Sequence, residues 1–176
     1  ASGIHPKEIA VEAGYAYEVI KNFSVSATFK YLFSDMGRIG NSRGASSVAF
    51  DLGVLYKCEI NDWEGAGWSV GLHVSNLGPK INYLTSKDAL PATVKVGGAA
   101  DLPFLQMHKL TLTADLGYRL SPADVQALSV SAGAEYAWRE LVMLRGGYHC
   151  GDKKKGDASY ATAGAGVEYA LSLIYI

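Results

Sequence analysis

Four histidines, two cysteines and one Gly-Ala-Gly run are the residues here whose types suit metal, nucleophilic or phosphate chemistry. His5, His73, His108 and His149 are dispersed, with no metal-ligand spacing. Cys58 and Cys150 are too few for a disulfide framework. Gly164-Ala165-Gly166 opens like a dinucleotide loop. Tyr169 stands where the third glycine belongs, however, and the run lies inside an alternating stretch. There is no Gly-x-Ser-x-Gly elbow and no Walker loop. These spacings support neither catalysis nor a bound cofactor, and the chain reads as a non-enzyme.

The elements that would position such residues are strands. Helical periodicity is almost absent, whereas period-2 alternation runs through most of the chain. Ile9, Val11, Ala13, Tyr15, Tyr17 and Val19 share one face, while Glu12, Gly14, Ala16 and Glu18 share the other. The pattern recurs at Phe23–Phe33, Val48–Lys57, Trp68–Ser75, Ala92–Gly97, Leu110–Arg119, Leu128–Trp138, Val142–His149 and Ala161–Tyr169. Leu171, Leu173 and Tyr175 would make a short last strand. About nine or ten antiparallel strands in a single domain follow.

Alternation alone does not name the solvent on each face. Several strands run to the length that crosses a bilayer at a tilt. Aromatics (Tyr17, Phe23, Phe33, Tyr56, Trp68, Tyr118, Trp138, Tyr148) sit near strand ends on the apolar face, as in the interfacial girdles of membrane barrels. The other face is mostly Ala, Gly, Ser and Thr, which suits a lumen better than an outer surface in water. Only 19% of residues are charged and the formal net charge is −1, so nothing points to nucleic acid. No apolar run is long enough for a transmembrane helix. The fold class expected is all-β: an antiparallel up-and-down transmembrane β-barrel, with outer-membrane lipid around it.

Loop lengths orient it. Connections at Lys21-Asn22 and Arg139-Glu140 are tight, and those at Ser34–Ser47 and Asn76–Pro91 are long. Alternate connections share an end, and in outer-membrane barrels the short turns face the periplasm. Cys58–Gly67 and Leu102–Met107 then fall with the short turns; Ser121–Gln126 and Cys150–Asp157 fall outside. Cys58 and Cys150 end up at opposite ends, as unpaired thiols. The inward charges, among them Glu12, Lys30, Asp51, Lys95, Asp115, Arg119, Glu135 and Arg145, have mixed sign and read as a pairing network in a narrow lumen. Lys153-Lys154-Lys155 reads as a solvated loop tip.

Four runs resemble one family: AFDLGVLYK (Ala49–Lys57), VSNLGPKINY (Val74–Tyr83), LPATVKVGGA (Leu90–Ala99) and LRGGYHCGDKKKGDASYATAGAGVEY (Leu144–Tyr169). Their order and spacing resemble the PorV family of type IX secretion outer-membrane barrels of Bacteroidota. The resemblance implies a fourteen-stranded barrel of the fatty-acid-transporter type, of which residues 1–176 would be the central and C-terminal part. It also implies a non-enzymatic shuttle or adaptor. Its partners would be the translocon barrel, the C-terminal signal domains of secreted clients and the surface attachment complex. A solute channel of the transporter type and a PorQ-like structural partner barrel are the alternatives. Client or partner contacts are expected in the outer loops, at Met36, Ile39, Asn76, Gly78, Pro79, Lys80, Ile81, Tyr83, Leu84, Leu90 and Pro91. No metal or cofactor is implied.

Overall fold

The structure, a computed structural model, describes residues 7–35, 45–82, 87–105, 107–139 and 141–168. Each alternating stretch among them forms a strand. They are β1 (Lys7–Ile20), β2 (Phe23–Asp35), β3 (Ala45–Glu59), β4 (Gly67–Leu77), the two-residue β5 (Ile81–Asn82) and β6 (Lys87–Asp88), β7 (Thr93–Phe104), β8 (His108–Arg119), β9 (Leu128–Trp138), β10 (Val142–Cys150) and β11 (Tyr160–Val167). β5 and β6 pair only with each other. The nine long strands make one sheet in chain order, every neighbouring pair antiparallel. The expected all-β, up-and-down architecture is therefore observed. Among the described residues, no ladder joins β1 to β11. The stretch expected as a last strand at Leu171–Tyr175 lies outside them.

The tight turns have a local cause. Asn22, Leu105 and Arg139 take left-handed backbone (φ 71°, 51° and 53°), which lets the chain reverse within two or three residues. At the first turn the Glu18 carboxylate accepts the Asn22 N–H at 2.8 Å. All the short connections lie at one end of the sheet and all the long ones at the other, as strand parity requires. Cys58 lies near the first end and Cys150 at the second, and both are free thiols.

The sheet is inside-out relative to a water-soluble protein. On β9, Leu128 (61% exposed), Val130, Ala132 and Ala134 are exposed, while Ser129, Ser131, Gly133 and Glu135 between them are half-buried. β3 shows the same inversion: Phe50, Leu52 and Val54 are exposed, whereas Ser47 and Asp51 are buried. At the tight-turn end of the apolar face, aromatic rings gather in contact. Tyr56 packs on Trp68 (centroids 5.6 Å apart), and Phe104, His108 and Tyr136 form a cluster in which His108 Nδ1 lies 2.6 Å from the Tyr136 hydroxyl.

Candidate functional site

The long connection after β4 begins at a β-bulge. Phe50 pairs with Leu77 and Leu52 with Val74, so Asp51 alone faces both Ser75 and Asn76. The extra residue is accommodated because Asn76 adopts φ 56°, a conformation that asparagine tolerates well. A bulge costs the ladder a hydrogen bond, and here the Asp51 carboxylate replaces it, accepting the Asn76 N–H at 2.8 Å. The same carboxylate binds Lys30 Nζ at 2.7 Å, and both side chains are largely shielded. Lys30 also reaches the Asn76 side-chain oxygen (3.4 Å), and Asn76 Nδ2 donates to the Pro91 carbonyl (3.3 Å). One residue thus ties the start of the connection to its end and both to β2 and β3.

The bulge bends the chain across the polar face of the sheet instead of away from it. Gly78 comes so close to β3 that a Cβ there would collide with the Val48 carbonyl oxygen and with Leu90 Cδ1. Ser47 donates to the Pro79 carbonyl at 3.4 Å. Leu90 is only 7% exposed, and beneath this segment Ala45, Ser47, Ala49 and Asp51 of the β3 polar face are all buried. The inward turn gives Asn76, Gly78 and Leu90 packing and hydrogen-bonding work. Pro79, Lys80 and Pro91 are exposed. Ile81 lies in β5, its backbone paired with Asp88. Met36, Ile39, Tyr83 and Leu84, also expected as contacts, lie outside the described residues.

Away from the segment the polar face is open. Two grooves of ≈470 and ≈530 Å³ run along it. The expected charge pairing is seen at Lys30–Asp51 and again at Arg145–Glu135 (3.1 Å), with a further pair, Lys109–Asp101 (3.0 Å). Lys95, Arg119, Glu12 and Asp115 form no ion pair among the described residues. Asp115 Oδ1 is buried without a hydrogen-bond partner there.

One cluster escaped the sequence reading. Ser131 Oγ lies 3.0 Å from His149 Nδ1, His149 Nε2 lies 3.0 Å from Asp157 Oδ1, and Tyr160 stacks on the ring at 4.9 Å. Parity and register would have found the first contact, since His149 and Ser131 share the polar face and are paired residues. Asp157 comes from the connection before β11, and no spacing announces it. The three residue types match a hydrolase triad, but the setting does not. Ser131 sits mid-strand between Asp115 and His149, where the local N–H groups belong to ladders, so no donor pair faces an oxyanion. Both ring nitrogens are occupied, and the cluster ties the β10–β11 connection to β9. Among the described residues no group of His, Cys, Asp and Glu could hold a metal ion.

An all-β, up-and-down antiparallel sheet with an exposed apolar face, and a segment folded onto its polar face, defines the class. Within it, the family model for the type IX secretion system protein PorV matches residues 2–126, and the chain belongs to that family. The match spans β1 to β8. The Leu144–Tyr169 element quoted above lies beyond it. No curated protein matches the chain.

Proposed function

We propose that this protein works in the outer membrane as a shuttle and adaptor of type IX secretion. It binds the C-terminal signal domains of clients at the translocon barrel and passes them to the surface attachment complex. Family membership supports a place in that secretion system. The single observation that carries the membrane reading is the inversion of exposure. Large apolar side chains such as Leu128, Val130 and Leu52 are exposed, while the serines and Asp51 beside them are shielded. In water such a face would aggregate; in hydrocarbon it is the stable arrangement. The rings at the tight-turn end suit a membrane interface.

Two consequences belong to the same reading. β1 and β11 each have one strand neighbour among the described residues, and a membrane wall leaves no backbone edge in lipid. In this reading both edges are paired with further strands in the membrane. The long-loop end faces outward and presents the exposed Pro79, Lys80 and Pro91 to clients or the translocon; Met36, Ile39, Ile81, Tyr83 and Leu84 are candidate contacts by their sequence positions in the same long connections. Asn76, Gly78 and Leu90 shape that surface from below. Deleting the gene tests the reading: signal-domain clients should accumulate in the periplasm, and normal surface delivery would sink it. Within the loop, the Lys80→Ala, Tyr83→Ala double variant should lower recovery of clients in pull-downs at normal expression.

A further inference from the structure

Two cationic side chains of the polar face that lack an ion pair among the described residues converge. Lys95 of β7 and Arg119 of β8 line a cavity of ≈240 Å³ together with Thr93, Ser129, Asp157 and Tyr160. It lies toward the long-loop end, beyond the part of the polar face that the segment after Asn76 covers. Neither Lys95 nor Arg119 has a carboxylate within 4.0 Å among the described residues. The one acid of the lining, Asp157, is engaged by His149 Nε2 at 3.0 Å. His149 also belongs to the lining, and two cations against one carboxylate leave the cavity with a net positive charge.

The backbone is arranged to bring Lys95 there. Gly117 is the register partner of both Lys95 and Ser129. A Cβ on Gly117 would lie 2.7 Å from Ser129 Oγ, and 3.5 and 3.6 Å from Lys95 Cγ and Cε. The Lys95 stem therefore lies over the missing side chain, and its ammonium is carried across β8 toward β9. Arg119 is held from the other side, with Nη1 donating to the Lys155 carbonyl at 3.2 Å. That bond uses one of the five donors of a guanidinium and none of its charge. Thr93, Ser129 and Tyr160 also line the cavity; the Thr93 and Ser129 hydroxyls donate to the Pro91 and Gly117 carbonyls (3.3 and 3.5 Å), which leaves the Tyr160 hydroxyl as the neutral donor open to a guest among the described residues.

We infer that this cavity is a binding site for an oxyanion, a carboxylate or phosphate group entering from the long-loop end. The inference does not depend on the secretion role. Two converging charged donors with a phenol hydroxyl beside them are the chemistry that recognises such groups, and the volume holds the group with a few attached atoms and excludes a folded domain. Charge attraction at a partly open site also makes the binding weaken with ionic strength.

The test uses the purified full-length protein in detergent micelles. Sodium phosphate and, separately, sodium acetate are titrated calorimetrically at constant ionic strength, with chloride as the balancing anion. Saturable binding of at least one anion is expected, and which one binds tighter tells a tetrahedral from a planar ligand. Lys95→Gln and Arg119→Gln should each weaken it about tenfold, the loss of one charge-assisted bond. Lys95→Arg should retain it, as should Lys109→Gln, whose lysine pairs with Asp101 near the opposite end. Folding of each variant is read from its mobility on unheated gels. No saturable binding of either anion to the wild type would overturn the site. So would binding that is unchanged in both Lys95→Gln and Arg119→Gln.

Discussion

At the long-loop end of β3, four alternate residues of the polar face (Ala45, Ser47, Ala49 and Asp51) are buried under the segment that follows Asn76. On β10 and β11 the same face carries Arg145, Thr162 and Gly164, all exposed, with an open groove above them. Both regions are built from small residues and a few charges, and both contain an ion pair. They differ in what lies on top. Lys30–Asp51 is shielded, with side chains 17% and 10% exposed, and its carboxylate also completes the β4 bulge. Arg145–Glu135 has side chains 54% and 35% exposed and serves no second bond among the described residues. Small polar faces thus do two jobs in one sheet. In one region they are a floor on which chain is packed; in the other they are a wetted wall.

Variants at matched positions can break or sharpen this contrast. The largest effect is expected from Asp51→Ala. It strands Lys30 and the Asn76 N–H together, and loss of one partner from a shielded pair costs roughly 3 kcal/mol or more. Urea unfolding in micelles measures it, and a loss no larger than that of an exposed pair would erase the distinction. Next comes Gly78→Ala. The added methyl meets the Val48 carbonyl, and overpacking of this kind costs about 1–3 kcal/mol. Protease cutting between residues 78 and 92 should rise while the strands stay resistant, and an unchanged cutting pattern would mean that the segment does not rest on β3. The smallest effect is expected at the open wall. Glu135→Gln should change stability by less than about 1 kcal/mol, as exposed pairs do. A larger loss would mean that something covers that wall in the folded protein.

The contrast marks where the sequence was legible. Strands, their order and their ends follow from alternation and loop length, because a period of two forces neighbours onto opposite faces whatever the solvent. The strand boundaries of β2, β8 and β9 agree with the alternating stretches to within a residue or two. The direction of the connection after β4 was not legible. Asn76-Leu77-Gly78-Pro79 reads as the end of a strand, and nothing local says whether the chain then leaves the sheet or folds across it. The deciding bond is to Asp51, on another strand, and it exists only once the register of β3 against β4 is set. The Ser131–His149–Asp157 cluster was hidden for a related reason. Its members are brought together by pairing and by a connection that folds back, so the dispersed histidines of the sequence gave no hint of it. The convergence of Lys95 and Arg119 likewise depends on Gly117 having no side chain, a fact that means nothing until the three strands lie side by side.

Consider finally what the Asn76 bulge does to a mechanical load. The Asp51 carboxylate touches β2 through Lys30 and β4 through the Asn76 backbone, and Asn76 itself holds the Pro91 carbonyl. A tug on the segment between Asn76 and Pro91 therefore does not peel a single strand from an edge. It arrives on β2, β3 and β4 together, as shear along paired ladders in the interior of the sheet. The root of the segment is a fixed mount, so a partner that grips its exposed part pulls on the whole wall.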